Sequence, residues 1–513
     1  MILIYLLLIL LAGAFLSLIA GKWSTHGSRI ISLAVLTIDL ALTLSIFFIP
    51  KTPGQQWIIN LKADWIPEFG IGFHLALDGI SLLLLLLTFF IGIISIIFSW
   101  KEIHQKVGFF NFNFLLTLAG IVGVFLSLDF FLFYFFWELM LIPMFLLIGI
   151  WGNENRTAAS YKFFLFTQIG GLLMLISILT IYFIHGHSTG IYTFDYEQLI
   201  GTKMSPATSY LVMLGFLAAF FVKLPVIPLH NWLPDTYTAA PTSVTLLLAA
   251  LLSKTAAYGL IRFIYPLFPN SAASFAPFGM ILGIVGILYG AKLAYAQTDL
   301  KRLIAYTSIS HMGFIVLGIF AFNQLAFQGV VMQMLAHGIS IGALFIIAGL
   351  LFERLHTREL DMMGGLWAKV PALGAMGIVF SMASLGLPGF GNFIAEFLIL
   401  LGTFKANIVM ASIASIGLLA AAIYTLRMIQ HIFFGKIKVE LKITDITFRE
   451  KLIFGSLIVI IFWLGLFPKQ VLNIANPAVL KTLTYHNIQL GEKIGESKNQ
   501  TTVSNLFLFR TLK

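Results

Sequence analysis

The sequence predicts an all-α polytopic membrane protein of about fourteen transmembrane helices, and three observations lead there. Hydrophobic residues make up 59% of the 513-residue chain and charged residues only 10%. A soluble domain carries about 25% charged residues, so little of this surface is built to face water. Apolar runs of about 18 residues or more recur, each long enough to cross a hydrocarbon core of roughly 30 Å as a helix. They are continuous rather than alternating, which argues against membrane strands. The chain has no cysteine, which excludes disulfides, thiolate metal sites and cysteine-ligated iron–sulfur clusters. The net charge of +10 sits mainly in loops and tail, where basic residues orient a membrane protein rather than bind nucleic acid.

The spans are expected near residues 2–20, 30–49, 79–100, 109–128, 129–151, 160–184, 208–226, 240–266, 275–295, 301–322, 326–352, 371–403, 408–433 and 450–470. The first has no basic residue ahead of it and reads as a retained span rather than a cleaved signal. The stretch Lys51 to Asp78 is too polar to cross and is broken by Pro53, Pro67 and Gly70; its short alternating pieces suit a hairpin on the membrane face. The tail from Asn473 is polar, with Leu506, Phe507, Leu508 and Phe509 forming an apolar end that suits a neighbour.

Two spans are interrupted. The seventh runs into Lys223-Leu-Pro-Val-Ile-Pro228, whose prolines remove amide donors. The twelfth holds Gly386-Leu-Pro-Gly-Phe-Gly-Asn392. Non-helical backbone at membrane depth is tolerated only inside protein or along a wet cavity. The breaks lie five spans apart, which predicts two inverted five-helix repeats, 109–266 (spans 4–8) and 275–433 (spans 9–13). Residues 1–108 then form an N-terminal unit with the hairpin, and 434–513 a loop, the last span and the polar tail. Paired broken helices in an inverted repeat point to a transport path.

Lysine and arginine concentrate in loops after odd-numbered spans: Lys22, Arg29, Lys101, Lys106, Arg156, Lys301, Arg302, Arg354, Arg358 and Lys369, then Lys436, Lys438, Lys442, Arg449 and Lys451. The even loops before the tail hold only Lys51, Lys62, Lys203 and Lys405. The positive-inside rule puts the odd loops in the cytoplasm and both termini outside.

An ionisable residue at the bilayer centre costs at least about 2.5–3.5 kcal/mol, so each needs a reason. Glu138 sits in Phe-Trp-Glu-Leu-Met, roughly 14 Å into span five. Lys223 ends the first half of span seven, Lys254 lies in span eight, and His311 and His337 in spans ten and eleven. Glu396 follows the break of span twelve by about one turn. Singly, a buried Glu–Lys pair serves as well for structure, a lone histidine is an ordinary hydrogen-bonded core residue, and Arg262, Lys292 and Arg427 near span ends snorkel to the interface. Six ionisable groups on six spans, two beside helix breaks, point instead to proton transfer. Burial favours a neutral lysine and a nearby carboxylate a charged one, so Lys223 can hold a proton while Glu138 is close and release it otherwise. Histidines relay between such groups. Na⁺ coordination competes, although an ammonium cannot ligate a cation.

The stretch Lys223-Leu-Pro-Val-Ile-Pro-Leu-His-Asn-Trp-Leu-Pro-Asp235, continuing through Ala239-Ala-Pro-Thr242 to Leu252-Ser-Lys254, resembles the signature of the antiporter-like membrane subunits of respiratory complex I and their cation/proton antiporter relatives. The resemblance spans essentially the whole chain. Within that family a glutamate at the position of Glu396 marks the M-type (chain 4) branch of NADH–quinone oxidoreductase, where the L- and N-types carry lysine. Ala395 stands where a small residue, commonly glycine, is expected, and the length suits the M-type rather than the longer L-type. The resemblance implies Glu138 and Lys223 as a coupling pair, Lys254 as central relay, His311 and His337 as connecting relays and Glu396 as terminal site. It implies no cofactor in this chain, with NADH, flavin (FMN), iron–sulfur clusters and quinone handled by other subunits. Implied partners are the other membrane subunits of complex I, related antiporter-like subunits on either side, the lipid bilayer and protons. The implied location is the bacterial inner (plasma) membrane or another energy-coupling membrane. A Na⁺/H⁺ antiporter subunit and a non-conducting scaffold are the alternatives.

Overall fold

The computed structural model describes residues 1–49, 56–438 and 443–489. Among these, twelve helices are long and apolar enough to cross a membrane, thirteen if one bent pair counts as a single span. The other expected span, 371–403, is two helices of 14 and 16 residues, each shorter than the ~20 residues a crossing needs. Lys51, Pro53, Lys442 and the apolar tail end at 506–509 lie outside the described residues.

The chain opens with α1 (Ile2–Ala20) and α2 (Thr25–Ser45). The polar stretch that follows does form a hairpin, β1 (Ile59–Ile66) paired antiparallel with β2 (Ile71–Leu77). Its turn passes through Gly70 at φ 64, a backbone region glycine enters without a Cβ clash. Next come α3 (Gly79–Glu102) and α4 (Val107–Leu126). Span five is divided into α5 (Phe130–Leu139) and α6 (Leu141–Trp151). Pro143 accounts for the division, because it cannot donate to the carbonyl of Leu139 and its ring crowds that group. Then follow α7 (Arg156–Thr189), α8 (Pro206–Lys223) and the short α9 (Trp232–Ala239). The backbone between α8 and α9 is non-helical through Pro225 and Pro228.

The second half comprises α10 (Thr242–Leu267), α11 (Pro269–Tyr295), α12 (Leu300–Phe320) and α13 (Gln324–Leu355). It continues with α14 (Pro371–Ser384), α15 (Gly391–Ala406) and α16 (Ile408–Phe433). The break between α14 and α15 uses Gly386 at φ 79 and Gly389 at φ 102. The chain closes with α17 (Phe448–Leu466) and, after a 72° bend, α18 from Pro468 to Gln489. The polar tail expected from Asn473 is therefore helical as far as residue 489. Its Val471, Ala475, Ala478 and Val479 are fully buried, an apolar stripe at helical spacing within a sequence of low average hydropathy.

Helices α10, α12 and α13 are almost wholly enclosed, whereas only 33–39% of α1, α2 and α16 is buried. Leu8, Phe15, Ile176, Leu419 and Ile423 are among the large apolar side chains on the outer surface, as lipid contact requires. The polar and ionisable residues of interest thus sit on the enclosed helices and on the broken ones packed around them.

Candidate proton path

The six ionisable residues fall into two groups with different wiring. In the second group, α10 carries two π-helical turns, Leu248–Leu252 and Leu260–Ile264, on either side of Lys254. Such turns interrupt the regular ladder and occur often at functional sites. Lys254 is fully buried. Its Nζ donates to the Ala249 carbonyl at 2.7 Å, lies 2.8 Å from His337 Nδ1 and 3.3 Å from Ser253 Oγ. The His337 ring meets the His311 ring edge-on at 5.6 Å between centroids. His311 Nδ1 lies 2.9 Å from Glu396 Oε1, and its Nε2 3.1 Å from Ser384 Oγ at the end of α14. Lys254, His337, His311 and Glu396 therefore form one file running from α10 through α13 and α12 to α15.

Helix breaks and close approaches place these groups. Glu396 lies in α15 just after the break, and a Cβ built at Gly386 would come 3.0 Å from Glu396 Oε2. One at Gly338, beside His337, would lie 3.2 Å from the Ala250 carbonyl, so α13 approaches the π turn closely. Gln333 Nε2 donates to Glu396 Oε1 at 3.3 Å. Buried polar atoms without a hydrogen-bond partner cluster here: His337 Nε2, Gln333 Oε1, Asn392 Oδ1 and Tyr424 Oη. Buried groups of this kind are usually satisfied, so their concentration beside the file is informative.

The first group is wired otherwise. Glu138 ends α5 just before the Pro143 interruption, with Tyr134 and Gln168 against its carboxyl. Its Oε1 is buried and has no hydrogen-bond partner. Lys223, 2% exposed, forms no ion pair with Glu138 among the described residues. Its Nζ instead sits 3.5 Å from the centre of the Trp137 ring and donates to the Trp137 carbonyl at 3.4 Å. Trp137 thus holds the lysine of the expected pair. Its place next to Glu138 is the signal in the sequence that points to it. Pro143 and the π turns were missed; the proline was visible, whereas π turns leave no distinctive residue pattern.

Arg262 departs from the snorkelling expectation. It is 2% exposed and ion-paired with Asp78, which is fully buried, with the Trp57 ring 4.9 Å away. A guanidinium buried this deeply is held by its carboxylate partner. Lys292 is exposed, as expected, and Arg427 donates to the Tyr295 carbonyl.

Beside the hairpin, outside the spans, lies a polar cluster. Asp195 Oδ2 is 2.8 Å from both His74 Nδ1 and Lys62 Nζ. Burial alone raises the Asp195 carboxyl, but the bonds and charges of His74 and Lys62 outweigh it and hold the group down at about 2. Neighbouring Asp129 is pushed up to about 6, chiefly by burial and in part by Asp195, against amide bonds from Gly72, Leu132 and Phe131.

A family profile described as "NADH:quinone oxidoreductase/Mrp antiporter, TM" matches residues 127–423. Subunit M of NADH-quinone oxidoreductase from Escherichia coli (strain K12) is 46% identical over 493 residues, covering 93% of this chain and 97% of the relative. The subunit M of Pseudomonas aeruginosa is 49% identical over 488 residues, covering 93% and 96%. A chain of respiratory complex I from Thermus thermophilus superimposes with a TM-score of 0.83 at 29% identity, covering 93% of this chain and 99% of that one. A chain of the Mrp complex from Dietzia sp. reaches 0.82 at 21% identity, covering 96% and 99%, and that likeness concerns the fold.

Proposed function

We propose, from the premise that this chain belongs to the NADH:quinone oxidoreductase/Mrp antiporter family and within it to the M subunits of NADH-quinone oxidoreductase, that it is a proton-translocating membrane subunit of that enzyme. It is a multi-pass membrane protein that works beside other membrane subunits. Redox chemistry belongs to those partners, and this chain carries no cofactor of its own. The two termini lie outside, as the lysine and arginine distribution indicates. A reporter in the 435–450 loop is then cytoplasmic and one fused beyond Gln489 is not; finding both on one side overturns the orientation.

The observation that carries the reading is the file from Lys254 to Glu396. Each member exchanges a proton at an identifiable atom: Lys254 Nζ with His337 Nδ1, and His311 Nδ1 with Glu396 Oε1. The unpartnered His337 Nε2 is the atom left to release the proton, and His311, whose Nδ1 and Nε2 face Glu396 and Ser384, takes it up when its ring turns one nitrogen from those partners toward His337. Upstream, Glu138 and Lys223 act as the gate. With Lys223 on the Trp137 ring the pair is open. Moving the ammonium to the carboxylate closes it and changes the charge that Lys254 faces.

The antiporter alternative has less support, because the relatives at 46–49% identity are quinone oxidoreductase subunits and the antiporter likeness is one of fold. The scaffold alternative is separated by experiment. Glu138→Gln removes the charge and nearly keeps the shape. The complex assembles and both quinone-linked turnover and vesicle acidification collapse if Glu138 gates the path. A purely structural carboxyl, with Tyr134 and Gln168 against it, would instead act through stability: disturbing its buried polar contacts would cost about 1–3 kcal/mol and deplete the assembled complex. Normal turnover and acidification per assembled complex in this variant sink the gating role.

A further inference from the structure

Helix α7 presents two adjacent glycines, Gly170 and Gly171, where α5 and α8 approach it. Successive helical residues point roughly 100° apart, so the two face different neighbours. A Cβ built at Gly171 would lie 2.3 Å from Glu138 Oε1 and 3.4 Å from its Cδ, with Trp137 Nε1 next at 3.9 Å. At Gly170 it would lie 3.1 Å from Ala219 Cα, 3.4 Å from the Ala218 carbonyl oxygen and 3.5 Å from Val222 Cγ2. Ala218, Ala219 and Val222 belong to α8, the helix that ends in Lys223. One glycine therefore touches the acid, and its neighbour touches the helix that carries the lysine.

We propose that the Gly170–Gly171 step is the spacer that sets the separation of Glu138 and Lys223, and that Gly171 is the positioning residue seating the Glu138 carboxyl. The inference rests on the reading of Glu138 as the gating acid and names what holds that acid in place. Glycine inside a helix is destabilising relative to alanine, so two in succession require a reason, and the contacts supply a separate one for each. At Gly170 the obstacle is backbone, so an added methyl presses on α8 itself, which must give by a few tenths of an ångström. At Gly171 the obstacle is the end of one side chain. Oε1 itself has no hydrogen bond, so the resistance to displacement comes only from Tyr134 and Gln168 against the carboxyl. A methyl at 171 is thus accommodated by the carboxylate turning away, and the helix packing is left as it is. The site is sensitive at the point where the fold is tolerant.

The test is Gly171→Ala in the whole assembled enzyme. Expected are a wild-type amount of complex and a loss of quinone-linked turnover and acidification of about tenfold or more, the scale on which ångström misplacement of a reacting group acts. Adding Glu138→Asp shortens the acid by one methylene and withdraws it from the new methyl. The double variant should then turn over at least as well as Gly171→Ala alone, so that the two effects fail to multiply. Normal turnover in Gly171→Ala, losses that multiply in the double variant, or a depleted complex with normal turnover per complex would each overturn the proposal. Glu138→Gln, measured alongside, separates the two levels. If it is inactive while Gly171→Ala is normal, only the positioning role fails. If it is fully active, the gating reading falls and the positioning role with it.

Discussion

The two groups of ionisable residues share their chemistry and differ in connection. Each has a lysine and a glutamate, and each lies against a broken helix. Around Glu396 the carboxylate is already bonded to His311 and Gln333, and Lys254 is already bonded to His337. Around Glu138 the carboxylate keeps one oxygen unpartnered, and Lys223 rests on an indole ring. A cation on an aromatic face gains about 0.5–2 kcal/mol, less than the ~2.5–3.5 kcal/mol that a charge at the bilayer centre costs on the lowest scales. The Trp137 seat is therefore a shallow one that Lys223 can leave. On the function proposed above, the bonded file suits conduction and the unbonded pair suits switching, and the proposed wire and gate differ in the placement of partners more than in the choice of residues.

Cutting the file gives the largest expected effect. Lys254→Ala removes the group bonded to both Ala249 and His337, and pumping should fall by at least about a hundredfold, the low end of what a positioned proton-transfer group contributes. Lys254→Arg keeps the charge but cannot release its proton, and it should not restore pumping. Acidification measured per assembled complex decides the matter. Full activity in the arginine variant would mean that the site needs charge alone, and the contrast between wire and gate would disappear.

The sequence made the spans legible, and with them the six residues, because continuous apolar runs and charges inside them stand out against a lipid-facing composition. The breaks at Pro225–Pro228 and Gly386–Gly391 were legible for the same reason: proline and glycine act through backbone geometry that any helix shares. The wiring was not legible. Nothing in spacing says that Lys223 sits on Trp137, because that contact joins two helices whose relative rotation is set by packing. The π turns around Lys254 were likewise hidden, since α and π conformations draw on the same residues. The helical tail was missed because its buried stripe is thin and Pro477 lies within it.

Trp137→Leu tests the gate with a smaller expected effect. Losing the ring removes the shallow seat and leaves Lys223 free to approach Glu138. Turnover should drop by up to about tenfold, matching a cation–π contact of about 0.5–1.4 kcal/mol. Trp137→Phe, which keeps an aromatic face, should recover part of it. Equal turnover in the leucine variant and the wild type would show that the ring holds nothing the gate uses, and that the first group is a plain ion pair awaiting closure.

The smallest effect on pumping is expected at the hairpin, where the titrating groups lie outside the spans and touch neither group. Asp195 is held at about 2, below its ordinary 3.8, so its stabilisation of the hairpin is complete above that ordinary value and is lost as pH falls toward about 2. Asp129 is raised from 3.8 to about 6. The fold therefore favours its protonated form, and stability declines as pH rises through that window. The two slopes meet near the ordinary carboxyl value, so the hairpin should be most firmly held at about pH 4, loosening below it through Asp195 and above it, toward about pH 6, through Asp129. Hydrogen exchange at the Gly72 amide, corrected for intrinsic rates, reads this directly, because that amide donates to Asp129 Oδ2 at 2.9 Å. Asp195→Asn should loosen the hairpin by about 1–3 kcal/mol at neutral pH and leave turnover per complex near wild type. A hairpin that loosens together with a tenfold loss of pumping would mean that this outer cluster belongs to the path, and the division into one wire and one gate would then need a third member.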